Sequence, residues 1–199
     1  MTPSESLLAQ YRDEKGDISE HIDTLTCYAQ ECSSVVELGV RGGVSTLALM
    51  SGHPSYMTSF DINPFGNAPL YRTFAAELGV NWNFVQENVL STKSIHECDL
   101  LFIDTLHSYT QLSLELWLHA HKARRWIILH DTVSFALHDE GQPSMDGLPT
   151  EVIDHRIKLP EGRGLITAVN RFLAQGMFKL KDHFPNNNGL MVLERRNAD

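Results

Sequence analysis

The chain has 199 residues, with 16 Lys and Arg against 25 Asp and Glu and a formal net charge of −9. That length suits one domain with a sizeable core, and an acidic chain without a basic stripe argues against a nucleic-acid partner. No apolar run reaches the roughly 18 residues of a membrane span, no apolar leader opens the polar N-terminus, and Cys27, Cys32 and Cys98 have neither zinc spacing nor an even count, as expected of reduced thiols in a cytoplasmic protein.

Residues 1 to about 33 read as a helical cap. Ser4 is a candidate N-cap with Leu7, Leu8 and Tyr11 on one face, and a second helix runs from about Ile18 to Glu31. Val35-Val36-Glu37-Leu38 is then a short strand pattern. It passes through the turn Gly39-Val40-Arg41-Gly42-Gly43 into an amphipathic helical pattern with Leu47, Ala48, Leu49 and Met50. A glycine turn of this kind brings bare backbone close to a ligand, and the following helix offers free N–H groups and a positive dipole end. The dinucleotide fingerprint G-x-G-x-x-G is not met, because Arg41 stands where its second glycine would be.

A second strand pattern, Ser55–Phe60, ends in Asp61, about 20 residues beyond the turn, where such folds bind ribose hydroxyls. A third, Trp82–Gln86, leads into Glu87-Asn88. Asp99–Ile103 ends in Asp104, with His107 three residues on and a helical pattern from Tyr109 to Lys122. Trp126–Leu129 exits into His130-Asp131-Thr132. Wholly apolar runs between helices read as central parallel strands covered on both faces, and ligands of such sheets sit beyond the carboxyl ends of the strands. Glu37, Asp61, Asp104, His130 and Asp131 all end strand patterns, so the fold gathers them on one rim. His119 and His121, late in a helix, are expected to face solvent. His21, in the cap, is a candidate to close the site from the other side.

Residues 133–162 are rich in Pro, Gly and acids and too long for an ordinary connection. They read equally well as a lid or substrate loop and as a partly disordered insertion. Leu165–Leu173 is an amphipathic helix with Gly176 placed to end it, and Phe178–Phe184 and Leu190–Glu194 are strand patterns joined through Asn188-Gly189, a strong hairpin signal.

The pattern E-x-G-x-x-x-G-x-S-T from Glu37 to Thr46 resembles motif I of the class I S-adenosylmethionine-dependent methyltransferases. Ile103-Asp104-x-x-His107-x-Tyr109 and Ile127-Ile128-Leu129-His130-Asp131-Thr132 resemble the small-molecule and sugar O-methyltransferases of that class, including macrolide-sugar, aminocoumarin-sugar and cephalosporin-hydroxylase-like enzymes. The likeness runs from about Asp17 to Arg195 and includes the lead-in Asp17-Ile18-Ser19-Glu20-His21. It implies an α/β, Rossmann-like, seven-stranded, mostly parallel sheet closed by a C-terminal antiparallel hairpin, with helices on both faces and the whole of residues 1–199 in one methyltransferase domain.

It also implies a cofactor, S-adenosylmethionine. Glu37, Gly39, Arg41, Gly43 and Ser45 would lie at its methionine end, Asp61 at the ribose, Asn88 beside the adenine, and Asp104 at the reacting side. In several relatives the acid matching Asp104 and the pair matching His130-Asp131 hold a divalent cation, Mg²⁺ or Mn²⁺, and the residue matching His107 is the candidate general base. The catalytic candidates are therefore His107, Asp104 and His130. The acceptor implied is a hydroxyl of a small molecule or sugar, and related small enzymes often form homo-oligomers.

The chemistry suits these residue types. Methyl transfer from a sulfonium is an in-line displacement, so aligning the acceptor oxygen is worth up to roughly 7–11 kcal/mol. A bound cation acidifies a coordinated hydroxyl, and an imidazole can accept a proton near neutrality. Relatives often carry two acids or Asp-Asn where this chain has His130-Asp131, and His suits Mn²⁺, Fe²⁺ or Zn²⁺ better than Mg²⁺. Two readings stay open: a cation on Asp104 and Asp131 with His130 as ligand or support, or His107 or His130 acting as base without a metal. An NAD-dependent oxidoreductase is disfavoured by the missing glycine and the terminal hairpin. A non-catalytic cofactor-binding protein is disfavoured by the retention of Asp104, His107 and Asp131.

Overall fold

The computed structural model describes residues 1–14, 16 and 18–196. Asp17, first residue of the lead-in motif, lies outside the described residues. Helix α1, Pro3–Asp13, starts with a capping box in which the Thr2 hydroxyl accepts from the Glu5 N–H and the Glu5 carboxylate accepts from the Thr2 N–H. Thr2, not Ser4, is therefore the N-cap, and the buried Ser4 hydroxyl donates to Glu77 instead. The second helix, α2, spans Ile22–Gln30 and begins later than the periodicity suggests. Ile18 has φ +65°, outside the right-handed helical region, and only a single 3₁₀ turn over Ser19–His21 precedes the helix.

Strand β1, Ser34–Leu38, is followed by α3, Val44–Met50; β2, Tyr56–Asp61; α4, Ala68–Leu78; β3, Asn81–Gln86; β4, Cys98–Ile103; α5, Tyr109–His119; and β5, Ala123–His130. The chain then crosses a long segment containing α6, Thr150–Lys158, and ends with α7, Leu165–Leu173, and the hairpin of β6, Phe178–Phe184, and β7, Leu190–Arg195. The seven strands run β3-β2-β1-β4-β5-β7-β6, with β1 to β5 parallel and β7 antiparallel to both β5 and β6. This is the expected Rossmann-like sheet with its C-terminal hairpin.

Two apolar layers cover the sheet. Val35, Leu100, Phe102 and Ile128 point to the side of α2, α3 and α4, and Val36, Leu101, Ile103 and Ile127 to the side of α5 and α7. That alternation explains why β1, β4 and β5 read as nearly continuous apolar runs: each face is buried. His119 is also drawn inside, with no exposed surface, and its Nε2 meets the Val89 carbonyl at 2.9 Å. The expectation that it faces solvent is overturned, because the last turn of α5 packs under the loop after β3. His121 is exposed as expected.

The parallel strands reverse their spatial order between β1 and β4, one carrying on to β2 and the other to β5. A crevice opens at such a switch point beyond the strand ends. No helix among the described residues is long and apolar enough to cross a membrane.

Candidate active site

A cavity of about 350 Å³ opens at this switch point. The β1–α3 turn forms one wall through Gly39, Val40 and Arg41; the ends of β2 and β3 contribute Asp61 and Asn88; and Asp104 and Thr105 close it from β4. Phe60, Ile62, Val89 and Leu106 make it largely apolar, as small-molecule clefts are. Asp61 organises the turn. Its Oδ2 accepts from the Val40 and Arg41 N–H groups at 2.9 and 3.0 Å, and its Oδ1 from the Asn63 N–H at 2.8 Å. Asn88 lies at the cavity wall, with its Oδ1 accepting from the Leu90 N–H at 3.0 Å.

The glycines serve the fold more than the cavity. A Cβ on Gly39, at φ +93°, would fall 2.0 Å from the Asp104 carbonyl oxygen, so glycine there lets β1 and β4 end side by side. A Cβ on Gly43, at φ +86°, would meet the Tyr71 ring at 2.6 Å. Glu37 is wholly buried; its two oxygens accept from Ser45 Oγ at 2.7 Å and Thr46 Oγ1 at 2.8 Å, bracing the first turn of α3. Burial pushes its pKa up to about 7 against the pull of the Ser59, Ser45 and Thr46 hydroxyls. Of the residues assigned to the cofactor from sequence, Gly39, Arg41, Asp61, Asn88 and Asp104 line the cavity, whereas Glu37, Gly43 and Ser45 lie behind it.

Across the rim, the ends of β4 and β5 bring four titratable groups together. His107 Nε2 lies 3.1 Å from Asp104 Oδ1 and 3.0 Å from Asp131 Oδ2, and His130 Nδ1 lies 3.4 and 3.5 Å from the same two oxygens. Asp131 adopts φ +57°, an uncommon conformation for a residue with a Cβ that turns its carboxylate into the cluster. The far nitrogen of each imidazole is already committed. His107 Nδ1 faces Glu140 Oε2 at 2.9 Å, and His130 Nε2 faces the Asn187 carbonyl at 3.2 Å.

Those partners can only accept, so both far nitrogens carry the proton. A neutral ring would then aim a lone pair at two carboxylates. With protein groups alone, both rings are held as imidazolium. Burial lowers each pKa, but the hydrogen bonds and charges of Asp104 and Asp131 together outweigh it and raise both to about 10. Burial raises the two aspartates, yet the imidazoles hold both well below the usual carboxylate range. Asp131 Oδ1 is buried without a hydrogen-bond partner among the described residues. Asp104, His107 and Asp131 each offer a ligand atom within 4.8 Å of the others.

The model of a family described as a methyltransferase domain matches residues 36–132, from β1 through the His130-Asp131 corner. The part of the chain that carries the cavity and the acid–imidazole cluster is thus similar to a methyltransferase domain. Its fold is similar to that of a putative O-methyltransferase from Klebsiella pneumoniae (TM-score 0.62, 13% identity, 99% of this chain and 91% of the other). It is likewise similar to an O-methyltransferase from Bacillus cereus solved with S-adenosylhomocysteine (0.54, 18%, 97% and 89%). A third similar structure is the O-methyltransferase TomG of tomaymycin synthesis from Streptomyces achromogenes, solved with S-adenosylmethionine (0.58, 15%, 99% and 91%). No curated protein matches the chain by sequence.

Several groups around this site were not singled out by sequence reasoning. Glu140, from the segment after β5, pairs with His107, and Phe135 stacks on the same ring at 4.9 Å with an interplanar angle of 7°. Glu115, wholly buried on α5, accepts from Thr105 Oγ1 at 2.6 Å and Gln111 Nε2 at 2.7 Å, and burial pushes its pKa up to about 7. An acid at an inward-facing position of α5 was the available signal. His21 packs edge-on to His130 at 5.7 Å, and its Nε2 lies 3.0 and 3.2 Å from the Asn186 and Asn187 carbonyls.

Proposed function

We propose that this protein moves a methyl group from S-adenosylmethionine to a hydroxyl of a small molecule, assisted by a divalent cation held by Asp104, His107 and Asp131 with His130 beside them. The observation that carries the cation is the arrangement of His107: its Nδ1 is taken by Glu140, so Nε2 is the atom turned towards two carboxylate oxygens about 3 Å away, where a cation would replace its proton. A cation at that point would relieve a contact that otherwise requires two buried imidazolium ions. The mixed nitrogen and oxygen donor set suits Mn²⁺ better than Mg²⁺.

The donor fits the cavity on its chemistry. Backbone of Gly39 to Arg41 would meet its amino-acid end, Asp61 its ribose and Asn88 its base, with the apolar side chains around them excluding water. S-adenosylmethionine supplies an activated methyl group, and a divalent cation supplies acidity to a bound hydroxyl. Asp104 belongs to both the cavity wall and the acid–imidazole cluster, so it links donor and acceptor sides. Similar folds that are O-methyltransferases, one of them in the synthesis of a natural product, support a small-molecule acceptor.

The alternative, His107 as a metal-free base, is opposed by its protonation. Three carboxylates around its two nitrogens favour the protonated ring, which has no free nitrogen to accept a further proton. The test is a methyl-transfer assay over a panel of hydroxyl acceptors after EDTA treatment, with Mn²⁺ or Mg²⁺ restored. Turnover should vanish in EDTA and return more fully with Mn²⁺. Full activity in EDTA would remove the cation, and failure to bind S-adenosylmethionine would remove the donor.

A further inference from the structure

Residues 133–162 are neither an open loop nor a separate unit; they fold back over the rim. The segment docks at its far end through Leu148 and Val152, which pack with Leu90 and Leu114. Nearer β5 it is held by polar groups. Asp139 Oδ1 accepts from the Tyr109 and Gly164 N–H groups, each at 2.8 Å, pinning the segment to the first turns of α5 and α7. The Glu140 N–H donates to the His107 carbonyl at 2.8 Å, while Glu140 Oε2 accepts from the His107 N–H at 3.2 Å and from its Nδ1–H at 2.9 Å. Residue 140 thus grips residue 107 by three hydrogen bonds, two of them to its backbone. Gln142, whose amide donates to Asp139 Oδ2 at 3.0 Å, Pro143 and Ser144 then form a wall of the donor cavity.

We propose that Glu140 is a positioning residue: it fixes the ring orientation and tautomer of His107 and couples the acid–imidazole cluster to the strap that walls the donor cavity. The inference rests on the cation site proposed above. Outer carboxylates commonly orient a metal-bound imidazole in this way, and their removal typically costs 10–100-fold in metal affinity. The strap adds something that an outer carboxylate alone does not. Because the clamp on His107 and the cavity wall lie within five residues of each other, whatever orders one orders the other. Occupation of the cluster therefore favours closure over the donor, and by linkage the donor tightens the cluster by the same factor.

The test compares the wild-type protein with Glu140→Gln, which keeps an acceptor but loses the charge, and Glu140→Ala, which loses both. Glu140 is half-exposed, so neither change opens the core. Three readouts are taken: Mn²⁺ titration by calorimetry, amide hydrogen exchange of residues 136–148, and S-adenosylhomocysteine affinity with and without Mn²⁺. The expected result is a 10–100-fold loss of Mn²⁺ affinity in Glu140→Ala with partial rescue in Glu140→Gln. Exchange over the strap should quicken, and Mn²⁺ should no longer tighten S-adenosylhomocysteine binding. Mn²⁺ affinity within twofold of wild type together with unchanged exchange in Glu140→Ala would overturn the proposal. If the wild-type protein itself binds no Mn²⁺, the cation site is what fails, and exchange alone then decides the clamp: faster exchange keeps it, unchanged exchange removes it.

Discussion

The two halves of the rim use the same residue types in opposite ways. At the β1–β2 side, each acid is satisfied by its neighbours: Asp61 takes three backbone N–H groups and Glu37 takes the hydroxyls of Ser45 and Thr46. At the β4–β5 side, Asp104 and Asp131 face imidazoles whose other nitrogens are already committed, and Asp131 Oδ1 has no hydrogen-bond partner among the described residues. The first half is a finished scaffold that shapes a cavity. The second half concentrates two carboxylates and two imidazoles at one point, balanced only while both rings stay protonated, and there a bound cation could take the place of those protons. An acid at a strand end is therefore not by itself a ligand-binding group; what satisfies it decides.

The comparison is broken most severely by removing the charge on the β4–β5 side. Asp131→Ala should cut turnover by roughly 10²–10³-fold, the scale of losing one charge-stabilising group. Without added cation, S-adenosylhomocysteine affinity should stay within a few-fold, because Asp131 does not line the cavity. Steady-state kinetics with calorimetry checks both. Next comes Gly39→Ala, whose Cβ would stand 2.0 Å from the Asp104 carbonyl oxygen at φ +93°. It should cost about 3 kcal/mol or more of stability by denaturant titration. Gly42→Ala in the same turn, with nothing within 4 Å of its Cβ, should stay within about 0.5 kcal/mol.

A smaller effect sharpens the contrast on the scaffold side. Folding raises the pKa of Glu37 from an ordinary value of 4.5 to about 7, so the folded state binds the extra proton between those values. Stability is then fully present below about pH 4.5 and is lost as pH rises towards 7, at up to ~1.4 kcal/mol per pH unit. Glu115 carries a similar shift. Glu37→Gln should therefore remove the Glu37 contribution and make stability fall less steeply between pH 4.5 and 7, as read from denaturation midpoints across pH 4–8. An unchanged slope would mean that Glu37 is already ionised in the folded protein.

The sequence made the scaffold side legible because its determinants are local. The strand, turn and helix from Val35 to Met50 lie within one stretch; the helix Leu165–Leu173 and the Asn188-Gly189 hairpin beyond β5 were legible for the same local reason. The cluster at the β4–β5 rim was legible only in its strand ends. Asp104, His107, His130 and Asp131 stood out, but Glu140 meets His107 across 33 residues and Asn187 meets His130 across 57. No periodicity reports such contacts. Helix α6 was missed because its residues, Thr150–Lys158, are mostly polar and only Val152 is buried. The burial of His119 was hidden for the converse reason: a basic residue in a last turn reads as surface, while a distant carbonyl drew it in.

The most direct measurement is a crystal structure grown with Mn²⁺ and S-adenosylhomocysteine, with the cation located by anomalous scattering. The expected result is one strong peak bonded to Asp104, His107 Nε2 and Asp131, with His107 Nδ1 still on Glu140 and S-adenosylhomocysteine in the cavity beside the β1–α3 turn. A cluster with no peak, His107 still bridging the two aspartates and donor density elsewhere would contradict the account.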